Sequence, residues 1–285
     1  MHRSLPLSLL VPLLGCPSGG TTSLDGTTDC WQSDAMLDVS DAAGPGAGYG
    51  MPSLAAGCSD EHFVMEGNGL PTYEFVQMTP NPLDEQDYHF ELPADPVLAD
   101  APEDIPLLGV VGIAVNGLVF YGPNEAAQPA DSAWGDPVYN GITDGCTGHT
   151  ANEYHFHALA ERCLTQDAVA DPTPWTRDAP DGSAASPIIG FAWDGFPIYG
   201  KWGCLDADCS EVAEMTSGYV QVGDPTRDAW DAYAFEASDD PTVLDECNGR
   251  VQPDGSYGYH ATDGFPYIVG CFAGEPGELP SLGGP

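Results

Sequence analysis

From His62 onward the chain runs in short apolar or alternating stretches, each cut off within a few residues by Gly, Pro or Asp. Runs of that length predict strands. Helix-period spacing is confined to Ala158 to Ala170 and to the region around Ser210 to Met215. Leu107 to Val115 reads as a buried strand. The fold class that follows is mainly β: a loop-rich single domain.

The pattern also repeats. Gly112-Ile-Ala-Val-Asn-Gly-Leu-Val-Phe-Tyr-Gly122 aligns without gaps on Gly190-Phe-Ala-Trp-Asp-Gly-Phe-Pro-Ile-Tyr-Gly200. Asn116-Gly117 and Asp194-Gly195 predict two-residue type I′ hairpin turns, since both residue types accept positive φ. Pro197 predicts an edge position for the outgoing strand of the second hairpin. A second matched element follows in each half. Asp144-Gly-Cys146-Thr-Gly148-His149 precedes Tyr154-His155-Phe156-His157, and Asp245-Glu-Cys247-Asn-Gly249-Arg250 precedes Tyr257-Gly258-Tyr259-His260. Two related halves, about 105–165 and 185–272, are expected to pack about a pseudo-two-fold axis into one core.

Composition changes this picture in two ways. Six Lys+Arg against 44 Asp+Glu leave a net charge of −38. A chain this acidic lacks the basic patch needed to grip nucleic acid or anionic lipid. Self-repulsion also opposes a compact state, so a covalent framework is expected. Of nine cysteines, Cys16 belongs with the N-terminus, and Cys30, Cys58, Cys146, Cys163, Cys204, Cys209, Cys247 and Cys271 remain. Eight cysteines allow 105 pairings. Local closure makes Cys30–Cys58, Cys146–Cys163, Cys204–Cys209 and Cys247–Cys271 the simplest set.

Residues 1–15 carry Arg3 and then a short apolar core ending at Leu13-Leu14-Gly15-Cys16. They read as a lipoprotein signal peptide, with Cys16 the lipidated residue. Residues 16–29 would be a flexible tether, 30–60 a disulfide-tied segment, 61–275 the main domain and 276–285 a tail. The expected location is the bacterial cell envelope, on the outer membrane or cell surface, with the membrane contacted only through lipid.

In a strand, side chains two apart share a face, with Cα atoms roughly 6.5–7 Å apart. His155 and His157 therefore point one way, while Tyr154 and Phe156 point into the core; Tyr257 and Tyr259 do the same in the second half. A two-fold that juxtaposed these strands would gather His155, His157 and His260, with His149 the next nearest donor. Imidazoles at this density suit copper or zinc. The position of His149 is Arg250 in the second half, which cannot ligate but could hold an anion. Asp194 could orient a histidine as an outer-shell carboxylate. His62 and His89 stand apart and read as surface or satisfied core residues.

Together these elements, with Asn68-Gly-Leu-Pro71, Asn81-Pro82 and the Phe265-Pro-Tyr … Gly270-Cys271 ending, resemble the YHYH-domain family over roughly residues 65–275. The resemblance implies an exported bacterial protein and leaves the biochemical role open. Two departures stand out: Phe156 where the motif has Tyr, sparing both histidines, and Gly258 in place of a histidine, removing one imidazole.

The leading function is therefore a lipid-anchored metal-binding domain, copper before zinc. The alternative is a cell-envelope adhesion module with structural histidines, using Trp134, Trp193 or Trp202 as a glycan or peptide platform. Calcium held by Asp206-Ala-Asp208 or Asp239-Asp240 is a weaker structural reading, because no EF-hand pattern is present. Nucleophile-elbow, Walker, Rossmann and H-E-x-x-H motifs are absent from the sequence, and no catalytic residue is assigned.

Overall fold

The computed structural model describes residues 24–126, 134–151 and 153–279. The signal peptide, Cys16, the first part of the tether (16–23) and the end of the tail (280–285) lie outside the described residues. Among those residues no helix is long and apolar enough to cross a membrane.

In chain order the strands are β1 (Leu54–Cys58), β2 (His62–Gly67), β3 (Tyr88–Pro93), β4 (Leu98–Asp104), β5 (Val110–Ala114), β6 (Val119–Tyr121), β7 (Gly148–Thr150) and β8 (Tyr154–Phe156). They continue as β9 (Ile188–Ala192), β10 (Pro197–Tyr199), β11 (Trp202–Cys204), β12 (Val212–Glu214), β13 (Tyr219–Gln221), β14 (Tyr233–Phe235), β15 (Gly249–Val251), β16 (Tyr257–His260) and β17 (Cys271–Gly274). Three helical turns, α1 (Trp31–Ala35), α2 (Gln166–Val169) and α3 (Ala229–Ala232), are the α-helices among the described residues.

The molecule is mainly β and disulfide-stabilised, and all four local cysteine pairs form: Cys30–Cys58, Cys146–Cys163, Cys204–Cys209 and Cys247–Cys271. Its centre is an eight-stranded sheet of order β15-β16-β10-β9-β5-β6-β8-β7. Read outward from the β9–β5 boundary, each side carries the same series of elements. The register there is Gly112↔Ala192, Ile113↔Phe191 and Ala114↔Gly190. Ile113 and Phe191 are equivalent in the repeat, so the two-fold axis passes between them. Gly112 and Gly190 are required by the closeness of this seam. A Cβ on Gly112 would stand 2.6 Å from Phe191 O, and one on Gly190 2.3 Å from Ile113 O.

Several expectations change. Only the glycines of the hairpin turns are left-handed, Gly117 at φ 82° and Gly195 at φ 84°. The turns close by Gly117 N–H to Ala114 O and Gly195 N–H to Ala192 O, both 2.9 Å. They are thus not type I′, because Asn116 Oδ1 and Asp194 Oδ1 accept from the N–H two residues on and hold those residues at negative φ. Pro197 does not mark an edge: β10 lies between β9 and β16. It is tolerated because pairing with β16 begins only at Ile198. Ala158 to Ala170 breaks into a 3-10 turn (Glu161–Cys163) and α2. Ser210 to Met215 is no helix but contains β12, paired with β11 across the loop that Cys204–Cys209 closes.

A three-stranded sheet, β1-β2-β3, covers the centre. Phe63 packs on Phe191 and Phe90 on Trp193, with ring centroids 5.1 Å apart in each pair. Burial of this size stabilises by roughly 1.5–3 kcal/mol per side chain. Segment 30–60 contributes α1 and β1 to this layer.

Candidate metal centre

Each half builds the same frame around an aspartate, buried in the first half and half-buried in the second. Asp144 Oδ1 accepts from Cys146 N (2.8 Å) and Gly148 N (3.2 Å), and its Oδ2 accepts from Tyr154 OH (2.8 Å). Asp245 does the same with Cys247 N, Gly249 N and Tyr257 OH, all at 2.9 Å. Thr147 and Asn248 share a φ of 66°. Burial pushes both aspartates above the usual carboxylate range, although these hydrogen bonds oppose it. The frame fixes the hairpin β7–β8 in the first half and β15–β16 in the second.

On that frame His149 lies opposite His155 across β7 and β8, and His157 follows two residues later. The three rings form a triangle with all centroid separations 4.8 Å and interplanar angles of 76–87°. Each Nδ1 faces a backbone carbonyl: Ile142 O at 2.9 Å from His149, Glu153 O at 3.3 Å from His155 and Gly122 O at 2.7 Å from His157. An Nδ1–H donated to a carbonyl leaves the Nε2 lone pair free. Those lone pairs converge: His157 Nε2 is 3.1 Å from His149 Nε2, and His155 Nε2 is buried without a hydrogen-bond partner among the described residues.

Glu125 completes the group. Its Oε2 lies 2.7 Å from His149 Nε2 and 3.6 Å from His157 Nε2. One donor atom from each of the four residues falls within 4.8 Å of the others. With each Nδ1 protonated, these facing acceptors can be bridged by a metal ion; without one, a proton on His149 or His157 Nε2 bridges to Glu125. Metal–nitrogen bonds of about 2.0–2.1 Å would set tetrahedral ligand edges of roughly 3.3 Å, within the range observed. The histidine side chains are 0–1% exposed at positions 149 and 157, against 24% for Glu125, so the carboxylate is the most solvent-accessible of these three side chains.

Burial would raise the Glu125 pKa, but hydrogen bonds from His149 and His157 outweigh it and hold the carboxyl well below its usual range. Burial pushes His155 down, aided by its neighbours His157 and His149. Burial also lowers His157, against the hydrogen bond with Glu125. Both effects favour the neutral, ligating form of the imidazole. Tyr121 stacks on His155 at 3.9 Å and 14°, and its hydroxyl donates to Glu153, which also accepts from Tyr88 OH at 2.6 Å.

His260 does not join the cluster. The axis between β5 and β9 sends β8 and β16 to opposite flanks, with four strands between them, about 24 Å at the usual strand spacing. His260 keeps the counterpart of one bond, Nδ1 to Gly200 O at 2.8 Å, but its Nε2 meets the Gln252 side-chain amide at 3.0 Å. Continuing the repeat past Gly122 and Gly200 aligns Glu125 with Gly203, while His149 meets Arg250 and His155 meets Gly258. Three of the four donors are therefore missing from the second half. Tyr199 takes the place vacated at Gly258, where an added Cβ would stand 2.7 Å from its ring.

The proposed outer-shell residues also lie elsewhere. Arg250 donates to Cys204 O and Pro241 O beside His260. Asp194 Oδ2 accepts from Tyr259 OH and Gly274 N, tying β16 to β17 without touching a histidine. His89 is an exposed partner of Glu66 and Glu91. Asp206 and Asp240 accept from Ser210 and Thr242 in local turns, and among the described residues neither belongs to a group of three or more His, Cys, Asp or Glu donors. Trp193 is buried, with Nε1 donating to Glu278 O, while Trp202, which donates to Pro180 O, and Trp134 are half-buried.

Glu125 was not read from the sequence. The available signal was the repeat itself: the halves differ at 125/203, 149/250 and 155/258, and at each pair the donor lies in the first half.

The buried His260 supplies a check on this geometry. Burial lowers its pKa to about 4. A base whose folded pKa is depressed binds fewer protons in the fold than in the unfolded chain between pH 4 and about 6.5. Its stabilising effect is thus full above about pH 6.5 and is lost as pH falls toward 4. NMR titration should show the His260 ring neutral at pH 5; a midpoint near 6.5 would place the ring in solvent.

Neither a curated protein nor a solved structure matches the chain. The family model described as YHYH protein matches residues 89–274, which contain both repeats and all four clustered donors. The chain belongs to the YHYH family.

Proposed function

We propose that the protein is an exported, lipid-anchored domain that captures a transition-metal ion, copper in preference to zinc, at Glu125, His149, His155 and His157. The observation that carries the reading is the convergence of three buried Nε2 atoms, each set by a carbonyl at the opposite ring nitrogen, on one carboxylate. That is a borderline N₃O donor set. On the Irving–Williams order such a site binds Cu²⁺ more tightly than Zn²⁺. Four protein donors can fill a tetrahedral shell, which favours sequestration over reaction at an open position.

The ligand residues act by orientation and charge. The Nδ1–carbonyl bonds hold each ring in its ligating tautomer, the Tyr121 ring covers His155, and Glu125 neutralises one positive charge of the ion. A net charge of −38 attracts cations to the surface. Export and anchoring rest on residues 1–16 and on the disulfide set, which suits an oxidising compartment.

The test is competition. Metal-stripped protein dialysed against equimolar Cu²⁺ and Zn²⁺ should retain about one copper per chain and give an electron paramagnetic resonance signal with nitrogen coupling. Retention of zinc alone would replace copper as the ion. Retention of neither would end the metal reading.

A further inference from the structure

A second cavity, separate from the histidine cluster, has the chemistry of a cation site. It is a cleft of about 590 Å³ between the β4–β17 pair, β13 and α3. That volume lies in the range of small-molecule sites. Tyr219 and Trp230 line it, together with Ile105 and Leu107, while Asp104 and Glu246 supply carboxylates.

The aromatic walls share a buried floor. Tyr219 and Trp230 each stand nearly perpendicular to Phe265, at 75° and 85°, with centroids 5.3 and 5.0 Å away. Both rings are held by hydrogen bonds: Tyr219 OH donates to Glu246 O at 3.0 Å, and Trp230 Nε1 to Asn124 Oδ1 at 3.0 Å. Asn124 is itself buried and donates to Leu107 O. The Tyr219 hydroxyl is pushed up by burial and by the charges of Glu246, Asp245 and Asp104. No Lys or Arg lines the cleft among the described residues.

Aromatic faces attract cations through their quadrupole, and carboxylates at the rim add Coulomb attraction. The same carboxylates repel phosphates, so an ammonium group carrying its own phosphate is disfavoured. We infer that this cleft binds a free organic ammonium ion, its alkylated nitrogen between Tyr219 and Trp230 and its charge facing Asp104 and Glu246. The inference does not depend on the metal.

Choline serves as the probe, titrated into the intact chain and followed by NMR at the Trp230 indole and Tyr219 signals. Choline should saturate these shifts, with and without bound metal. The neutral isostere 3,3-dimethylbutan-1-ol and phosphocholine should each bind at least tenfold more weakly. The surface pair Asp104→Asn/Glu246→Gln leaves the aromatic walls intact and should weaken choline about tenfold. Trp230→Leu, checked for folding by its spectrum, should abolish saturation. Equal binding of the neutral isostere would reduce the cleft to an apolar hollow, and equal binding of phosphocholine would assign it to a lipid headgroup. An absence of shifts, or unchanged affinity in the carboxylate variant, would also overturn the inference.

Discussion

Protein carrying His157→Ala should purify with at least tenfold less metal than the unaltered chain, measured by inductively coupled plasma mass spectrometry without chelator. His157 is central to the cluster: its Nε2 lies 3.1 Å from His149 Nε2 and 3.6 Å from Glu125 Oε2. Its removal leaves two imidazoles and a carboxylate, and the missing ring opens the site to water. The informative control is His260→Ala. The two histidines are equivalent in the repeat and donate to equivalent glycine carbonyls. If metal sits at the cluster, His260→Ala should leave the metal content unchanged while lowering thermal stability. Metal lost equally from both variants would show that the loss follows unfolding, and unchanged metal in His157→Ala would remove that residue from the ligand set.

Replacing Cys146 and Cys163 together with serine should give the second large effect. The bridge spans 17 positions and encloses β7 and β8 with all three clustered histidines. A loop of about this length contributes on the order of 3 kcal/mol, mainly through the unfolded chain. For a protein of this size that is roughly 6–12 °C in melting temperature. Both cysteines are buried at 1% exposure, so the loss should also loosen the hairpin and weaken metal binding. Serine replacement of Cys204 and Cys209, five positions apart beside β11 and β12, should leave metal affinity intact. If metal affinity survives removal of the Cys146–Cys163 bridge, the sheet and the Asp144 frame hold the ligands without it.

How much could be read in advance follows from how local each feature is. The disulfides were readable because each pair closes a segment of at most 28 positions. The alternation of Tyr154 and Phe156 against His155 and His157 needs only the pleat of one strand. Helix and strand were confused at Ser210 to Met215 because a six-residue apolar spacing carries little information. There, pairing with β11 decided the outcome.

The sequence by itself determined a duplicated, disulfide-closed, mainly β chain of high negative charge, with its donors concentrated in the first half. Only the tertiary structure decided where the duplication axis lies. That axis passes between Ile113 and Phe191, whose close seam is permitted by Gly112 and Gly190. It places the two histidine strands on opposite flanks of the sheet rather than side by side, so His260 is excluded and Glu125 takes the remaining position. The physical reason is one of range. Side-chain alternation and turn closure act within a few residues, whereas the meeting of Glu125 with His149, 24 positions away, depends on the parallel pairing of β6 with β8.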